Sequence, residues 1–352
     1  MRSETTENAA SALFWPFRSD VLRLPAARVL FLGARLNEAL LAHPQVDWQM
    51  EQPFLPWARP LQDAGFAVEP RRDAHDVAMS LVLPPHQRDE ARALLARALS
   101  ATAVGGLVVA AAANREGGGT LESDLRALAG NARTATKHRC RIVWSWVDPE
   151  TLDVATRDAW LALDAPRRID SDGESFWTRP GLFAWDRIDP ASALLAGHLP
   201  TQLSGRVADL GAGWGFLSMQ LLRRCPAITT LDLFEANARA LEPARRNLAA
   251  ALDGRTTPTC TVHWHDVSLG FPGPFDAIVS NPPFHLGRAD LPELGRAFIG
   301  RAAQALCANG ELWLVANRHL PYENALAQSF RNLDSVTQQA GFKVIHARHP
   351  IR

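Results

Sequence analysis

The second half of this 352-residue chain alternates short apolar segments with helix-length amphipathic ones. Such alternation is typical of βαβ units, in which crossover helices join parallel strands. The pattern predicts strands at 206–211, 228–234, 259–264, 275–280 and 311–316, and helices at 216–224, 238–251 and 291–306. Ligands of such sheets bind beyond the carboxyl ends of the strands, so the loops there are the first places to search for a site.

The first half of the chain repeats this order in a weaker form. Three of its segments, at 28–35, 81–85 and 113–115, match segments of the second half at 206–213, 278–283 and 316–318. The first pair reads RVLFLGAR against RVADLGAG, and the second reads LVLPP against IVSNPP. One match of this kind is common, but three in the same order indicate an internal duplication.

The copy differs where the second half has polar or flexible residues: Phe31, Arg35 and Leu83 stand in the places of Asp209, Gly213 and Asn281. We therefore expect two Rossmann-like α/β domains with doubly wound sheets, a degenerate one at 1–165 and a cofactor-binding one at 166–352. The segment at 164–200 contains Pro-Gly and Asp-Pro pairs, which predict a linker and lead-in rather than core.

Composition excludes several classes of protein. No run of 18 apolar residues and no basic-then-apolar leader occurs, which predicts a cytoplasmic protein without membrane contact. The cysteines lack CxxC spacing, so neither a metal site nor disulfides are expected. The 37 basic residues balance 37 acidic ones, and net charge therefore gives no support for a polyanionic partner.

A glycine-rich loop, DLGAGWG at 209–215, lies between the first strand of the second half and a helix. Gly211, Gly213 and Gly215 allow the backbone to turn sharply and to approach a ligand closely. The spacing is G-x-G-x-G rather than the G-x-G-x-x-G of dinucleotide sites. Asp209 would repel a pyrophosphate but can orient a cationic amino group, such as that of S-adenosylmethionine (SAM).

Two further carboxylates follow at strand ends. Glu235 ends the second strand about 20 residues after the glycines, where a carboxylate commonly accepts both ribose hydroxyls of a nucleoside. Asp232 is the competing candidate, but alternation places it inside the strand. Asp266, after the third strand, is placed either to receive an adenine amino group or to serve as a plain turn residue.

The most specific motif is Asn281-Pro-Pro-Phe284 at the end of the fourth strand. Pro282 and Pro283 fix an extended turn with unpaired carbonyls. An exocyclic amine on a heteroaromatic ring is a poor nucleophile because its lone pair is delocalised. The Asn281 oxygen and the Pro282 carbonyl can accept its two N–H bonds and turn the lone pair toward a methyl donor, while Phe284 stacks on the base. Such a site acts by orientation and electrostatics.

These residues resemble one known family. The loop at 209–215, Glu235, SNPPFH at 280–285 and GELWLVANRHLPY at 310–322 look like the RsmC/RlmG group of ribosomal RNA guanine-N2 methyltransferases. The resemblance implies SAM as methyl donor, guanine N2 as acceptor and an antiparallel last strand at 342–348. It also implies a degenerate N-terminal methyltransferase domain. The LPY at 320–322 favours the 16S branch over the 23S branch.

The resemblance also bears on individual residues. Trp214 lies where a small or polar residue is commoner. The segment at 180–189 resembles a lead-in that folds over the cofactor, with Phe183 and Asp189 as candidates for contact or for packing. In the first half, Arg133, Lys137, Arg139 and Arg141 are candidate phosphate contacts, and the expected partner of a monomeric protein is ribosomal RNA or a ribosomal subunit.

Other functions stay open at this stage. Protein-glutamine N5 methylation uses a related NPP-aromatic loop, and adenine N6 methylation uses the same chemistry. A non-catalytic RNA-binding assembly protein could retain the fold, although the retained Asp209, Glu235 and Asn281 favour an enzyme.

Overall fold

The computed structural model describes residues 4–171, 173–283, 285–286, 289–290 and 292–352. The chain divides into two compact units between Ala165 and Pro166. Within the described ranges, no helix combines the length and apolar character needed to cross a membrane.

The N-terminal unit contains seven strands in one sheet, with helices on both sides. The strands are β1 (Arg28–Leu32), β2 (Asp47–Glu51), β3 (Val68–Glu69), β4 (Val77–Val82), β5 (Thr102–Ala113), β6 (Arg133–Lys137) and β7 (Cys140–Trp146). The helices are α1 (Glu4–Leu13), α2 (Trp15–Arg18), α3 (Glu38–Leu41), α4 (Leu55–Asp63), α5 (Arg88–Ala101), α6 (Gly119–Ala129) and α7 (Val154–Leu161). The strand order is β3-β2-β1-β4-β5-β7-β6.

The C-terminal unit begins with a hairpin, β8 (Arg167–Ser171) and β9 (Glu174–Thr178). Its main strands are β10 (Ser204–Leu210), β11 (Ala227–Glu235), β12 (Thr259–Trp264), β13 (Phe275–Ser280), β16 (Leu306–Asn317), β17 (Phe330–Gln339) and β18 (Phe342–Pro350), with a short β14–β15 pair (His285–Leu286, Ala289–Asp290). The helices are α8 (Pro190–His198), α9 (Phe216–Arg224), α10 (Leu241–Leu252), α11 (Pro292–Ala305) and α12 (Glu323–Ser329).

The two seven-stranded sheets have the same topology. The C-terminal order is β12-β11-β10-β13-β16-β18-β17, which repeats the N-terminal order strand for strand. In each sheet six strands run in one direction, and the last strand along the chain, β7 or β18, is antiparallel to both of its neighbours. The predicted α/β class, duplication and antiparallel last strand are confirmed.

Alternate residues of the C-terminal sheet pack on its two faces. Val207 belongs to one apolar core and Ala208 to the other, and Ala277 and Ile278 divide in the same way. Because helices cover both faces, strands of such a sheet are apolar throughout. The predicted strands at 259–264 and 275–280 and the helix at 216–224 coincide with β12, β13 and α9.

The prediction of a linker at 164–200 is wrong. This segment forms β8, β9 and α8, and Phe176 and Leu195 are fully buried in the C-terminal core. Its Gly and Pro pairs mark turns between short elements. Short apolar stretches with turn residues on both sides gave too little periodicity to distinguish core elements from a connection.

Candidate active site

The glycine loop connects β10 to α9 at the carboxyl edge of the sheet. Gly211, Gly213 and Gly215 all have positive φ, at 70°, 55° and 89°, a conformation that favours glycine. A Cβ on Gly211 would lie 3.4 Å from the Phe298 ring, whereas a Cβ on Gly213 would meet no described heavy atom within 4 Å. The loop is therefore close-packed at its first glycine and open at its second, where a ligand can approach the backbone.

Trp214 does not take part in this open surface. Its side chain is buried against Phe176 and Phe216, with ring centroids 5.4 and 5.8 Å away. Its carbonyl accepts a hydrogen bond from the Asn247 side chain at 2.8 Å, and the same amide group spans to the Trp177 backbone. Trp214 thus fixes the glycine loop through buried contacts.

Glu235 lies at the end of β11, directly beside the open part of the loop. Its Oε2 accepts from the Gly213 amide at 2.8 Å, and its Oε1 accepts from the Asn237 amide at 2.7 Å. Burial raises the pKa of this carboxyl, although these backbone hydrogen bonds act to lower it. A carboxylate has about four acceptor positions, so capacity for ribose hydroxyls remains.

Asp232, the competing candidate, is engaged elsewhere. It lies within β11, pairs with Arg206 at 3.2 Å and contacts His263 Nε2 at 2.9 Å. Glu235 is therefore the carboxylate of this strand that reaches the glycine loop.

Asp209 is enclosed beneath the loop. Its side chain is fully buried, Oδ2 accepts from Ser218 Oγ at 2.7 Å, and Oδ1 is buried without a hydrogen-bond partner among the described residues. Burial raises the pKa of Asp209 to about 7; nearby Glu235 raises it too, whereas the Ser218 hydrogen bonds lower it. An unsatisfied buried acceptor is costly, and a bound cation or donor would relieve it.

Asp266 serves as a local cap in the structure. It follows β12, and its Oδ1 accepts from the Ser268 amide at 3.0 Å and from Ser268 Oγ at 2.6 Å. These bonds begin the short helical turn Val267–Leu269. Both hydrogen bonds fall on one oxygen of the carboxyl.

Asn281 follows β13 with its amide group held from one side. Nδ2 donates to Asp189 Oδ2 and to Ser192 Oγ, each at 2.8 Å. Both N–H bonds are thus used inside the protein, and the remaining capacity of the side chain is that of an acceptor. Ser280 supports the strand end by donating to the Leu210 carbonyl at 2.8 Å.

The rest of the motif is described in part. Pro282 is buried and Pro283 exposed, and Pro283 lies close to Gly211, within 3.8 Å of a Cβ placed there. The predicted stacking residue, Phe284, lies outside the described residues.

Phe183 lies in the lead-in segment between β9 and α8. It is 56% exposed, whereas its neighbour Leu182 is buried. The segment is tied to the turn after β11, since Arg239 donates to the Pro180 carbonyl at 2.6 Å. An exposed aromatic side chain on a fixed segment is available for a ligand.

The four basic candidates of the N-terminal unit do not form one patch. Arg133 and Lys137 lie on β6, with Arg133 stacked over the Trp146 ring, and Arg139 lies at the exposed tip of the hairpin. Arg141 contacts Thr134 and pairs with Glu122 at 3.0 Å. Strand alternation places Thr134 on the opposite face from Arg133. Arg141, which contacts Thr134, therefore lies on the other face from Arg133, and its charge is partnered by Glu122.

Sequence reasoning missed the partners of the key residues. Ser192, Ser218 and Asn247 hold Asn281, Asp209 and Trp214, respectively. The pattern Asp-Pro-Ala-Ser at 189–192 signals the start of a helix, but nothing in it indicates a partner 89 residues away. No cluster of three or more His, Cys, Asp or Glu side chains suited to a metal ion occurs in the described ranges.

Comparison with known proteins places these features in a family. A model of the methyltransferase small domain matches residues 173–346. A ribosomal RNA small subunit methyltransferase C from Escherichia coli (strain SMS-3-5) is 31% identical over 334 residues, covering 91% of this chain and 92% of that protein. Its counterpart from Shewanella baltica (strain OS155) is 37% identical over 169 residues, and that alignment spans about half of either chain.

The fold similarity extends over the whole length. A solved T. thermophilus 16S rRNA N2 methyltransferase in complex with AdoMet and guanosine matches with a TM-score of 0.79 at 23% identity, covering 99% of this chain and 92% of that one. Similarity at this identity establishes the fold, and the Escherichia coli relative establishes the family. This chain belongs to the ribosomal RNA small subunit methyltransferase C family.

Proposed function

We propose that this chain transfers the methyl group of SAM to the exocyclic N2 amine of a guanine in 16S ribosomal RNA. The observation that carries the proposal is the fixed Asn281 amide, whose N–H bonds are used by Asp189 and Ser192. Such an Asn presents an oxygen acceptor, which is the group an amine nucleophile requires. The family membership supports a small-subunit substrate.

At the carboxyl edge of the C-terminal sheet, the protein would act by orienting the amine rather than by supplying a strong base. The Asn281 oxygen and the Pro282 carbonyl accept the two N–H bonds of the amine and expose its lone pair. Acceptors that are fixed before the reaction cost no reorganisation when charge develops on the nitrogen. The proton leaves to solvent after transfer, because the methylated nitrogen is then cationic and acidic.

The residues around the glycine loop fit SAM as the methyl donor. Glu235 would accept the ribose hydroxyls, Gly211, Gly213 and Gly215 would let the backbone approach the cofactor, and Asp266 and Phe183 would border the adenine. The unpartnered Asp209 Oδ1 would gain a donor or cation. When bound, SAM supplies an electrophilic methyl group on a sulfonium centre.

The guanine reaches this edge only after leaving its stack in the RNA, which costs a few kcal/mol. Phe284 would offset part of that cost by stacking on the base. Arg133, Lys137 and Arg139 of the N-terminal unit would add phosphate contacts, with Arg141 the weaker candidate because of Glu122. The protein would act as a monomer in the cytoplasm. Its substrate would be either the free RNA or the ribosomal subunit.

Adenine N6 and protein glutamine are the competing acceptors for an NPP-aromatic loop, and 23S RNA is the competing guanine source. They are separated by incubating the enzyme with labelled SAM and, in turn, 16S RNA, 30S subunits, 23S RNA and ribosomal proteins. Mass analysis of the nucleosides should find N2-methylguanosine from the small-subunit substrates. Label in adenosine or in protein would contradict the proposal.

The Asn281→Ala variant tests the role of the loop. Losing one preorganised acceptor typically lowers turnover about a hundredfold. The dissociation constant for SAM should stay near the wild-type value, because Asn281 is assigned to the amine. Single-turnover methylation at saturating SAM, together with calorimetric SAM titration, measures both quantities. A variant with near-normal turnover would remove the basis of the assignment.

A further inference from the structure

Asp189 joins two parts of the C-terminal unit that are far apart in sequence. It is the N-cap of α8, where its Oδ2 accepts from the Ser192 amide at 2.8 Å. The same Oδ2 accepts from Asn281 Nδ2 at 2.8 Å, and Ser192 Oγ accepts from that nitrogen at 2.8 Å. One turn of helix therefore supplies two acceptors to one side-chain amide.

An isolated Asn amide has two orientations that exchange its oxygen and nitrogen. A carboxylate can only accept hydrogen bonds, so beside Asp189 the nitrogen is strongly favoured over the oxygen. The opposite orientation would place the Asn281 oxygen against the carboxylate and leave its N–H groups facing the reacting amine. Such an arrangement repels the amine's own N–H bonds.

We propose, on the basis of the proposed function, that Asp189 and Ser192 are positioning residues that set the orientation of the Asn281 amide, so that its oxygen faces the amine nucleophile. Asp189 was a candidate for cofactor contact on sequence grounds. The geometry assigns it to the acceptor side of the reaction instead. The N-cap of α8 thus belongs to the catalytic arrangement as well as to helix formation.

Cap-preserving substitutions separate the two roles of Asp189. Asn and Ser are N-cap residues of about the same quality as Asp, so D189N and D189S keep the helix start. D189N exchanges a charge-assisted hydrogen bond for a neutral one, and we expect a turnover about tenfold below wild type. D189S shortens the side chain out of reach of Asn281, and its turnover should fall further. Neither should change the SAM dissociation constant more than about twofold.

A polarity swap gives the sharpest test. N281D places two carboxylates within hydrogen-bond distance and, at a pH where both are ionised, should lower turnover about a hundredfold or more; at lower pH the two carboxyls share one proton, and turnover should partly recover. In the double variant D189N/N281D, the amide at position 189 can donate to the carboxylate at 281 once its oxygen has turned to the Ser192 amide, and the carboxylate then offers its second oxygen to the amine. Turnover should recover at least about tenfold over N281D, an effect that a purely structural role of Asp189 does not produce.

The matched control is D186N. It neutralises another carboxylate of the segment at 180–189, whose partner is the exposed Arg187. Its turnover, SAM affinity and melting temperature should equal those of wild type. D189N at full turnover, a double variant no better than N281D, or a loss of SAM affinity proportional to activity would each overturn the proposal.

One readout is independent of activity. In the full-length protein labelled with ¹⁵N at asparagine side chains, the Asn281 amide protons should exchange with solvent at least about tenfold faster in D189S than in wild type or D186N. Unchanged exchange would overturn the amide orientation directly. If wild type methylates no small-subunit RNA while exchange behaves as expected, the proposed function fails and the positioning contact stands.

Discussion

The carboxyl edges of the two sheets share their backbone course and differ in what fills them. In both units the residue after the first glycine donates its amide to a carbonyl at the end of the neighbouring strand. Ala212 donates to Phe234 of β11, and Ala34 donates to Glu51 of β2. The next residue along that strand is Glu235 in one unit and Gln52 in the other. The two halves can therefore be compared position by position.

Gln52 reproduces one of the two backbone contacts of Glu235 with a neutral side chain. Its Oε1 accepts from the Phe54 amide at 3.0 Å, as Glu235 Oε1 accepts from Asn237. Its Nε2, however, donates to the Ala34 carbonyl at 2.8 Å, whereas Glu235 Oε2 accepts from Gly213. The loop is held in both cases, but only the carboxylate offers two acceptor oxygens to a nucleoside.

Arg35 fills the place that Gly213 leaves open. Its guanidinium stacks over the Trp57 ring, 3.1 Å from the centroid, and donates to the Gly33 and Ala34 carbonyls. Phe31, in the place of Asp209, is fully buried in the apolar core. Leu83, in the place of Asn281, is buried and provides no acceptor side chain. These three positions thus differ in chemistry from their C-terminal counterparts while the strand order is kept, and we propose that the N-terminal unit places RNA and binds no cofactor.

We expect the strongest effect when Gly213 is given the side chain of its N-terminal counterpart, Arg35. Gly213→Arg should abolish measurable SAM binding, because a large side chain would occupy the open face of the loop. The protein should still fold: a Cβ there meets no described atom within 4 Å, and the positive φ costs roughly 1–2 kcal/mol. Calorimetric titration of the full chain measures the effect.

Arg35→Gly is the matched control for that variant. Wild type and Arg35→Gly should both bind one SAM per chain, since Gln52 and Phe31 remain in the N-terminal unit. A second SAM equivalent in Arg35→Gly, or normal affinity in Gly213→Arg, would contradict the comparison.

Glu235→Gln makes the second carboxylate position like Gln52. Hydrogen bonds to a charged acceptor contribute about 1.5–3 kcal/mol, so the SAM dissociation constant should rise roughly 10- to 100-fold. Turnover at saturating SAM should change much less, because Glu235 is assigned to the ribose. An equal fall in turnover at saturation would argue against that assignment.

The raised pKa of Asp209 predicts opposite pH effects on stability and on binding. With a pKa of about 7 when folded, against about 3.9 unfolded, the protonated acid stabilises the free protein. That contribution is complete below the unfolded value and is lost as pH rises through 7. A cationic ligand favours the carboxylate, so SAM affinity should increase about tenfold from pH 6 to pH 8.

Asp209→Asn should remove this pH dependence of SAM affinity. Titrations at pH 6, 7 and 8, in buffers with different heats of ionisation, also measure the proton released on binding. If the substituted protein keeps the full dependence, the titrating group is another one, and Glu235, whose pKa is also raised by burial, is the next to substitute.

The smallest expected effect concerns the division of labour between the units. Replacing Arg133, Lys137 and Arg139 with Ala should weaken RNA binding several-fold and lower the salt slope by up to about 2, at roughly 0.7 per phosphate contact on single strands. SAM affinity should not change. Arg141→Ala should have little effect, because Glu122 already neutralises its charge. An unchanged salt slope in the triple variant would show that the β6–β7 hairpin does not contact RNA phosphates.

Much of the fold follows from sequence because its signals are local. Strand β12, strand β13 and helix α9 agree residue for residue with apolar runs and amphipathic periods, and the duplication follows from three short matches. The helix predicted at 238–251 is less regular: a short 3-10 turn occupies Ala238–Ala240, and α10 begins at Leu241. Helix boundaries depend on capping contacts, which a periodic pattern does not contain.

Local sequence signals were enough to select the candidate site residues, because glycine spacing, a strand-end carboxylate and the Asn-Pro-Pro motif constrain backbone and side-chain type. How those residues are held depends on contacts that form only when distant parts of the chain pack together. Asp189 lies 92 positions from Asn281 and is joined to it by 2.8 Å, Asp209 is enclosed beneath its own loop, and Glu122 removes Arg141 from the basic set. Partners of this kind are set by the packing of elements distant in sequence, on which local periodicity has no bearing.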